Sequence, residues 1–336
     1  MNIGIIGAGS WGTAIAISLA GNNHNIKLWS AVKDEIELLK THREHIHRLP
    51  GVKLPDNIVI EENLEEASKD CEIIVLAVAS PYVRVTSHNL SPFVKPGQII
   101  VNVAKGIEDN SLYMLSQVIE EEIPQGNICV LSGPSHAEEV SKGIPTTVVV
   151  GAKDKETAEF IQDAFINNTF RVYTSPDIIG IELGGAIKNV IALAAGIVDG
   201  LGLGDNTKAA LITRGIAEIS RLGKAMGAHV ETFAGLSGIG DLIVTCTSNH
   251  SRNHNAGYLI GTGKSMEEAI EEVSQVVEGI NTAKAALALA KKYNVSMPLV
   301  EEVNACLFEG KKAKDALSDL ITREKSSEFY SLEWKN

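Results

Sequence analysis

Cysteine is scarce. There are four, Cys71, Cys129, Cys246 and Cys306, and no two form a Cys-x-x-Cys. That excludes a disulfide framework and reads as reduced thiols in a cytosolic chain. Positive charge is short as well: 30 Lys and Arg stand against 42 Asp and Glu, for a net charge of −12 and a pI near 5.3. A general nucleic-acid binder carries the opposite footprint, so any anionic ligand must be met by cations gathered locally. Long hydrophobic runs are missing. The longest without glycine, Ile73–Ala79, is far short of the roughly 20 residues that span a bilayer, so no integral membrane segment is expected. The opening Met-Asn-Ile-Gly-Ile-Ile-Gly has neither the basic region nor the apolar stretch of a signal peptide, and a cytoplasmic location is expected. The nine histidines include no His-Glu-x-x-His and no Cys/His set at zinc spacing, so no metal site is expected. A Gly-x-Ser-x-Gly elbow is absent, which argues against a serine hydrolase.

What remains is a chain of 336 residues, 44% hydrophobic, enough for two domains with cores of their own. Short β-rich runs begin at Ile3–Ile6 and recur at Ile26–Trp29, Ile73–Val78, Ile99–Val103, Ile128–Leu131, Thr146–Val150 and Phe170–Val172. Helical stretches separate them at Ser10–Ala20, Val32–Lys40, Pro81–Leu90, Leu112–Glu121 and Lys155–Ile166. Continuous apolar strands alternating with helices predict a mostly parallel sheet covered on both faces. Ser80-Pro81 reads as a helix cap followed by a first-turn proline. His42–Pro50, rich in His and Arg, reads as a solvated surface loop. After Thr174-Ser175-Pro176-Asp177 no further strand is apparent, and Ile178–Val198, Lys208–Met226, Ser265–Val273, Thr282–Lys292 and Pro298–Phe308 read as helices. The expected fold is α/β, a Rossmann-type domain over residues 1–177 followed by an all-helical substrate and catalytic domain over 178–336.

Gly7-Ala8-Gly9-Ser10-Trp11-Gly12 follows the first strand and opens the first helix, the context a dinucleotide fingerprint requires. Gly7 permits the tight turn, Gly9 lets backbone approach a pyrophosphate, and Gly12 lets helix and strand pack. The acid that usually reads the ribose, about 20 residues further on, is missing from Leu28-Trp29-Ser30-Ala31-Val32-Lys33-Asp34. Ser30 and Lys33 are the groups there that suit a 2′-phosphate. They leave NAD against NADP open, with a lean to NADPH.

Lys105, in Asn102-Val103-Ala104-Lys105-Gly106, and the loop Ser132-Gly133-Pro134-Ser135-His136-Ala137 both follow strands, where ligands of open parallel sheets collect. Lys188 stands inside an otherwise apolar helix. It either snorkels to the surface or serves as an acid and base beside a carbonyl. Gly235 to Asp241 is a glycine-rich loop ending in an acid, with a helix N-cap as the plain alternative for Asp241. Arg252, between Ser251 and Asn253, has the planar fork that suits a phosphate, or it is an exposed ion-pairing arginine. Gly200–Thr207 reads as a structural loop feeding a helix capped by Asp205, Asn206 or Thr207.

Taken in order, these stretches resemble the bacterial-type NAD(P)-dependent glycerol-3-phosphate dehydrogenases. The resemblance is carried by Gly7–Ala14, Ala104-Lys105-Gly106-Ile107, Leu131–Ser135, Leu183–Asn189, Ala210–Gly215, Gly235–Thr247, Ser251-Arg252-Asn253 and Val277-Glu278-Gly279. It implies reversible reduction of dihydroxyacetone phosphate to sn-glycerol 3-phosphate, the head of glycerophospholipid synthesis, by a homodimer. It further implies Lys188 as acid and base with Asp241 beside it. Lys105, Gly133, Ser135, Lys188, Asp241, Ser251, Arg252 and Asn253 would face the substrate. Gly7, Gly9, Ser10, Trp11, Gly12, Lys105, Ala137, Arg252, Val277 and Glu278 would face the cofactor. Ala31 departs from the basic or His residue of many relatives and removes one contact expected near the adenosine ribose. The competing readings are a related dehydrogenase of another hydroxy acid or polyol phosphate, and a non-catalytic nicotinamide sensor.

Overall fold

The computed structural model describes residues 1–325, 327 and 328. Its first part alternates strand and helix: β1 (Asn2–Ile6), α1 (Ser10–Gly21), β2 (Asn25–Trp29), α2 (Lys33–His42), β3 (Ile58–Glu61), α3 (Leu64–Ser68), β4 (Ile73–Leu76), α4 (Val83–Leu90), β5 (Ile99–Asn102), α5 (Leu115–Glu122), β6 (Asn127–Ser132), α6 (Ala137–Val140), β7 (Thr146–Gly151), α7 (Lys155–Phe165) and β8 (Phe170–Ser175). The strands form one sheet in the order β3-β2-β1-β4-β5-β6-β7-β8. All neighbours pair in parallel except β6 and β7, which run antiparallel. The first six strands thus have the doubly wound order of a dinucleotide-binding sheet.

The apolar runs explain the layering. Successive side chains of a strand point to opposite faces. Ile3, Ile5, Val75 and Val101 pack on one side of the sheet with α1 and α7. Ile6, Ile74, Leu76 and Ile100 pack on the other with α4 and α5. β3, which the sequence reading did not foresee, is a four-residue edge strand with Ile58 and Ile60 buried and Val59 exposed.

From Ile178 onward the described residues are helical: α8 (Ile178–Gly200), α9 (Gly204–Ala225), α10 (Val230–Phe233), α11 (Asp241–Thr247), α12 (Arg252–Gly261), α13 (Met266–Val273), α14 (Glu278–Lys292), α15 (Pro298–Phe308) and α16 (Ala313–Thr322). Helix α8 is the axis of this part. It is the one described helix long and apolar enough to cross a membrane, and it is buried inside the protein. Helix α12 crosses it at backbone contact: a Cβ at Gly257 would come 2.0 Å from the Leu193 carbonyl oxygen, and one at Gly196 would come 2.0 Å from that of His254. Glycine packing here replaces large apolar side chains, and it sets the N-terminus of α12 beside the middle of α8.

Three local expectations change. Ser80-Pro81-Tyr82 forms a 3-10 turn ahead of α4, and Ser80 caps nothing. Helix α9 begins at Gly204, with no side-chain cap from Asp205, Asn206 or Thr207. The His42–Pro50 loop is not simply solvated: His45 and Leu49 are buried, and His45 Nε2 lies 3.0 Å from Glu35 Oε1.

Candidate active site

The C-terminal ends of β1, β4, β5 and β6 lie on one edge of the sheet, and the loops that follow them face the helical part. A cleft of about 1240 Å³ opens between the two. Its lining takes in Gly9, Ser10 and Trp11 from the first strand-to-helix turn, Lys105, Ser135 and Ala137 from later loops of the sheet, and Lys188, Asn189, Thr245 and Glu278 from the helical part.

At the first strand-to-helix turn the glycines have distinct tasks. Gly7 has φ +119°, and a Cβ on it would come 2.7 Å from the Ala77 carbonyl carbon. A Cβ on Gly12 would come 1.8 Å from the Gly7 carbonyl oxygen. Neither lines the cleft. They allow the turn that brings Gly9 and the first turn of α1 to it, and no side chain caps that turn. Its backbone N–H groups and the helix dipole favour an anion there. The space over Gly9, held open by the glycine set, fits the pyrophosphate of a nicotinamide dinucleotide.

The neighbouring residues redraw the expected contacts. The Ser30 hydroxyl donates to Glu35 and its Oγ accepts from Val32 N, while Lys33 is exposed away from the cleft lining. Arg48 lines the cleft instead: its Nη1 is the nearest group to a Cβ built on Gly9, at 3.4 Å, and its Nη2 is 3.6 Å from Glu35 Oε1. Ser80 donates to Glu278 from both N, at 3.2 Å to Oε1, and Oγ, at 2.5 Å to Oε2, joining the end of β4 to the start of α14. The Val277 side chain belongs to the helical core, and the cleft is lined by its neighbours Val276 and Glu278 instead.

On the helical side Lys188 does not snorkel. It is 6% exposed, and its Nζ donates to Asp241 Oδ1 and, at 2.7 Å, to Thr245 Oγ1. Asp241 is not a helix cap. It is the first residue of α11, buried, and its second oxygen accepts from Lys105 Nζ at 2.6 Å. Lys105 also donates to the Gly133 carbonyl at 3.1 Å, and Ser135 Oγ donates to the same oxygen at 2.9 Å. One carboxylate thus holds two lysines drawn from the sheet and from α8. Burial pulls the Lys188 ammonium far below the ordinary lysine value, to about 7. Asp241 opposes the shift and the nearby Lys105 charge adds to it. An amine that titrates near neutrality can serve as acid in one direction and base in the other.

Beside this cluster, Ser251 Oγ caps α12 by accepting from His254 N at 3.2 Å. Arg252 opens the helix with its side chain exposed, and among the described residues it makes no hydrogen bond or salt bridge. Asn253 is locked: it donates to Asn189 Oδ1 at 3.0 Å and accepts from Gly279 N at 2.8 Å. A free guanidinium beside a helix N-terminus has the donors that a phosphate needs.

Several residues of the cleft were not singled out from sequence: Arg48, His136, Asn189, Thr245 and His250. The His136 and His250 rings are 5.9 Å apart. Burial and the Lys188 charge favour neutral His136. The only sequence signal for it was its place in the Gly133–Ala137 loop.

A dinucleotide-binding sheet edge, a buried lysine with a near-neutral proton and a phosphate-type arginine in one cleft define a nicotinamide-dependent dehydrogenase of phosphorylated small molecules. Family comparison makes the class specific. The model of the NAD-dependent glycerol-3-phosphate dehydrogenase N-terminus matches residues 2–158, and that of the C-terminus matches residues 177–318. The chain belongs to that family. It is 62% identical over 333 residues to a glycerol-3-phosphate dehydrogenase (NAD(P)+) of Agathobacter rectalis, covering 99% of both chains. It is 56% identical to the enzyme of that name from Fusobacterium nucleatum, covering 98% of this chain and 99% of the other. The crystal structure of glycerol-3-phosphate dehydrogenase from Coxiella burnetii superposes with a TM-score of 0.93 at 35% identity, over 96% of this chain and 99% of that one.

Proposed function

We propose that this chain reversibly reduces dihydroxyacetone phosphate to sn-glycerol 3-phosphate with NAD(P)H. The observation that carries the reading is the Lys105–Asp241–Lys188 cluster next to the free Arg252 in one cleft. Arg252, with Ser251 and Asn253 at the N-terminus of α12, holds the substrate phosphate. Lys188 donates its proton to the ketone oxygen and recovers it in reverse. Asp241 keeps the two lysines in register and supports the charged form of Lys188 in a site that burial would otherwise leave neutral. Lys105, Gly133 and Ser135 form the substrate wall on the sheet side. Gly9, Ser10 and Trp11 hold the pyrophosphate end of the cofactor, and Ala137, Val277 and Glu278 flank it. When bound, the dihydronicotinamide supplies the hydride.

The chain divides at 177/178, supported by the end of the last strand at Ser175 and the start of α8 at Ile178. The free state of all four cysteines fits a cytoplasmic location. The resemblance adds a homodimer and a role in supplying glycerophospholipid synthesis.

The direct test is loss of reduced-nicotinamide absorbance with dihydroxyacetone phosphate and, separately, NADPH or NADH. Turnover is expected with at least one. Tight cofactor binding with no turnover on dihydroxyacetone phosphate would sink the reading in favour of a sensor or another substrate. Two variants refine it. Arg252→Ala should raise the KM for dihydroxyacetone phosphate by about ten- to a hundredfold, the loss of a charge-assisted hydrogen bond of roughly 1.5–3 kcal/mol. It should leave weak turnover of unphosphorylated dihydroxyacetone unchanged; an equal effect on both would remove Arg252 from the phosphate. Arg48→Ala should weaken NADPH about tenfold more than NADH, because it withdraws a guanidinium that reaches Glu35 and so stands beside Ser30, where a 2′-phosphate would be met, while Lys33→Ala should affect neither. The reverse ranking would return the 2′-phosphate contact to Lys33.

A further inference from the structure

Glu182 takes no part in the chemistry above, yet it is a buried carboxyl in the joint between the two parts of the molecule. It lies on α8, six residues before Lys188 and so about 9 Å along the axis. It is 8% exposed, and no cation forms a salt bridge with it among the described residues. Burial pushes its carboxyl up to about 7, with hydrogen bonds from Ser116 and Asn102 only partly offsetting the penalty. An isolated buried carboxylate is unfavourable, and a neutral Ser, Asn or Gln would satisfy a helix end without that burden.

Its partners show what it does. Oε1 accepts from Ser116 N at 2.9 Å and from Asn102 Nδ2 at 3.3 Å, and Oε2 accepts from Ser116 Oγ at 2.5 Å. Ser116 is in the first turn of α5, and Asn102 ends β5. Asn102 in turn fixes the loop that follows. Its Oδ1 accepts from Ala104 N at 3.1 Å, and its Nδ2 donates to Ala104 O at 3.2 Å. The next residue is Lys105, whose ammonium meets Asp241. Glu182, Asn102, Lys105 and Ser132 also line one small cavity, of about 10 Å³, between the sheet and α8. The carboxylate of Asp241 needs both lysines within reach, and Glu182 spans the gap between the strand end that carries one and the helix that carries the other.

We infer that Glu182 is a positioning residue for the reaction: by clamping Asn102 and the start of α5 to α8, it holds Lys105 in register with Lys188 across Asp241. The inference rests on the proposed roles of those two lysines. It goes beyond them by assigning their alignment to a group that touches neither substrate nor cofactor.

Glu218 supplies a matched control. It is equally buried, is likewise pushed up to about 7 by burial, and accepts from Leu299 N and Val300 N at the start of α15. None of its partners lines the cleft. Glu182→Ala, Glu182→Gln, Asn102→Ala and Glu218→Ala are compared for thermal midpoint, NADPH dissociation constant, kcat and KM, and for the rate of acetylation of Lys105 by an amine-reactive ester read by mass spectrometry. Glu182→Ala and Asn102→Ala should lower kcat about tenfold or more, the scale expected when reacting groups are misplaced by a fraction of an ångström. Their NADPH dissociation constants should stay within about twofold, and Lys105 should label several-fold faster. Glu182→Gln keeps an oxygen for Ser116 N and Asn102 Nδ2 and should restore kcat and slow labelling. Glu218→Ala should shift only the thermal midpoint. Wild-type kcat and wild-type Lys105 labelling in a folded Glu182→Ala enzyme would overturn the inference, as would equal losses in Glu182→Ala and Glu182→Gln, or identical profiles for the alanine variants of Glu182 and Glu218. Asn102→Ala reads the same linkage from its other end should Glu182→Ala fail to fold. If Lys188→Ala kept its turnover, the catalytic reading would fail. The labelling of Lys105 would still decide whether Glu182 positions it.

Discussion

Lys188→Ala is expected to reduce turnover of dihydroxyacetone phosphate by about a hundred- to ten-thousandfold, the range that a positioned general acid supplies. NADPH binding should remain near that of the parent enzyme, because Lys188 bonds Asp241 and Thr245 and supports neither the glycine turn nor Arg48. The structure sharpens the reason. Lys188 is buried, so its amine cannot be replaced by a neighbour reaching in from solvent, and its proton is held between Asp241 and Thr245. Lys105 is the nearest other ammonium, but the Gly133 carbonyl and the second oxygen of Asp241 hold it. A residual rate within tenfold of wild type would show that Lys105 or water can donate the proton, and would take the acid role from Lys188. Stability should fall less than loss of a buried ion-pair partner usually costs, because Lys105 still pairs with the Asp241 carboxylate left behind.

Asp241→Asn should act on both stability and rate. Removing one partner of a buried ion pair typically costs about 3–5 kcal/mol, and here two lysines lose the same carboxylate. Lys188, already drawn down by burial, would then stay neutral at ordinary pH. Reduction should therefore slow by about a hundredfold or more, for want of a protonated donor. Part of the rate should return at lower pH. A variant as stable and active as the parent would mean that Asp241 only tidies the helix end, the plain alternative that its place after a glycine loop suggested.

How much of this was legible in the sequence depended on how local the cause was. The strands of the sheet centre are continuous apolar runs, and the turn at Gly7–Gly12 announces itself by composition. Lys188 stood out as a cation in an apolar helix. β3 was invisible because a four-residue edge strand buries only two side chains. Helix α12 was missed because Arg252–Gly261 has no apolar stripe; it binds α8 through glycine at backbone distance. The His42–Pro50 loop looked solvated because the partner that meets buried His45 is Glu35, on a different element. Asp241 could be noticed but not understood, since its two lysines are 53 and 136 residues away in the chain. Arg48 had no signal at all in a loop of several basic residues. Its meaning comes from where the loop folds, over Gly9.

A buried lysine near neutrality is expected to pass the proton in both directions. The measurement that tests it most directly is the pH dependence of kcat for reduction of dihydroxyacetone phosphate and for oxidation of sn-glycerol 3-phosphate, each at saturating cofactor. Reduction needs the ammonium. Its kcat should be level on the acid side and fall as pH rises through the depressed lysine value, about 7 in the free protein. Oxidation needs the amine, and its kcat should rise over the same interval. Both inflections should vanish in Lys188→Ala. Two flat profiles, or inflections that persist without Lys188, would contradict the account.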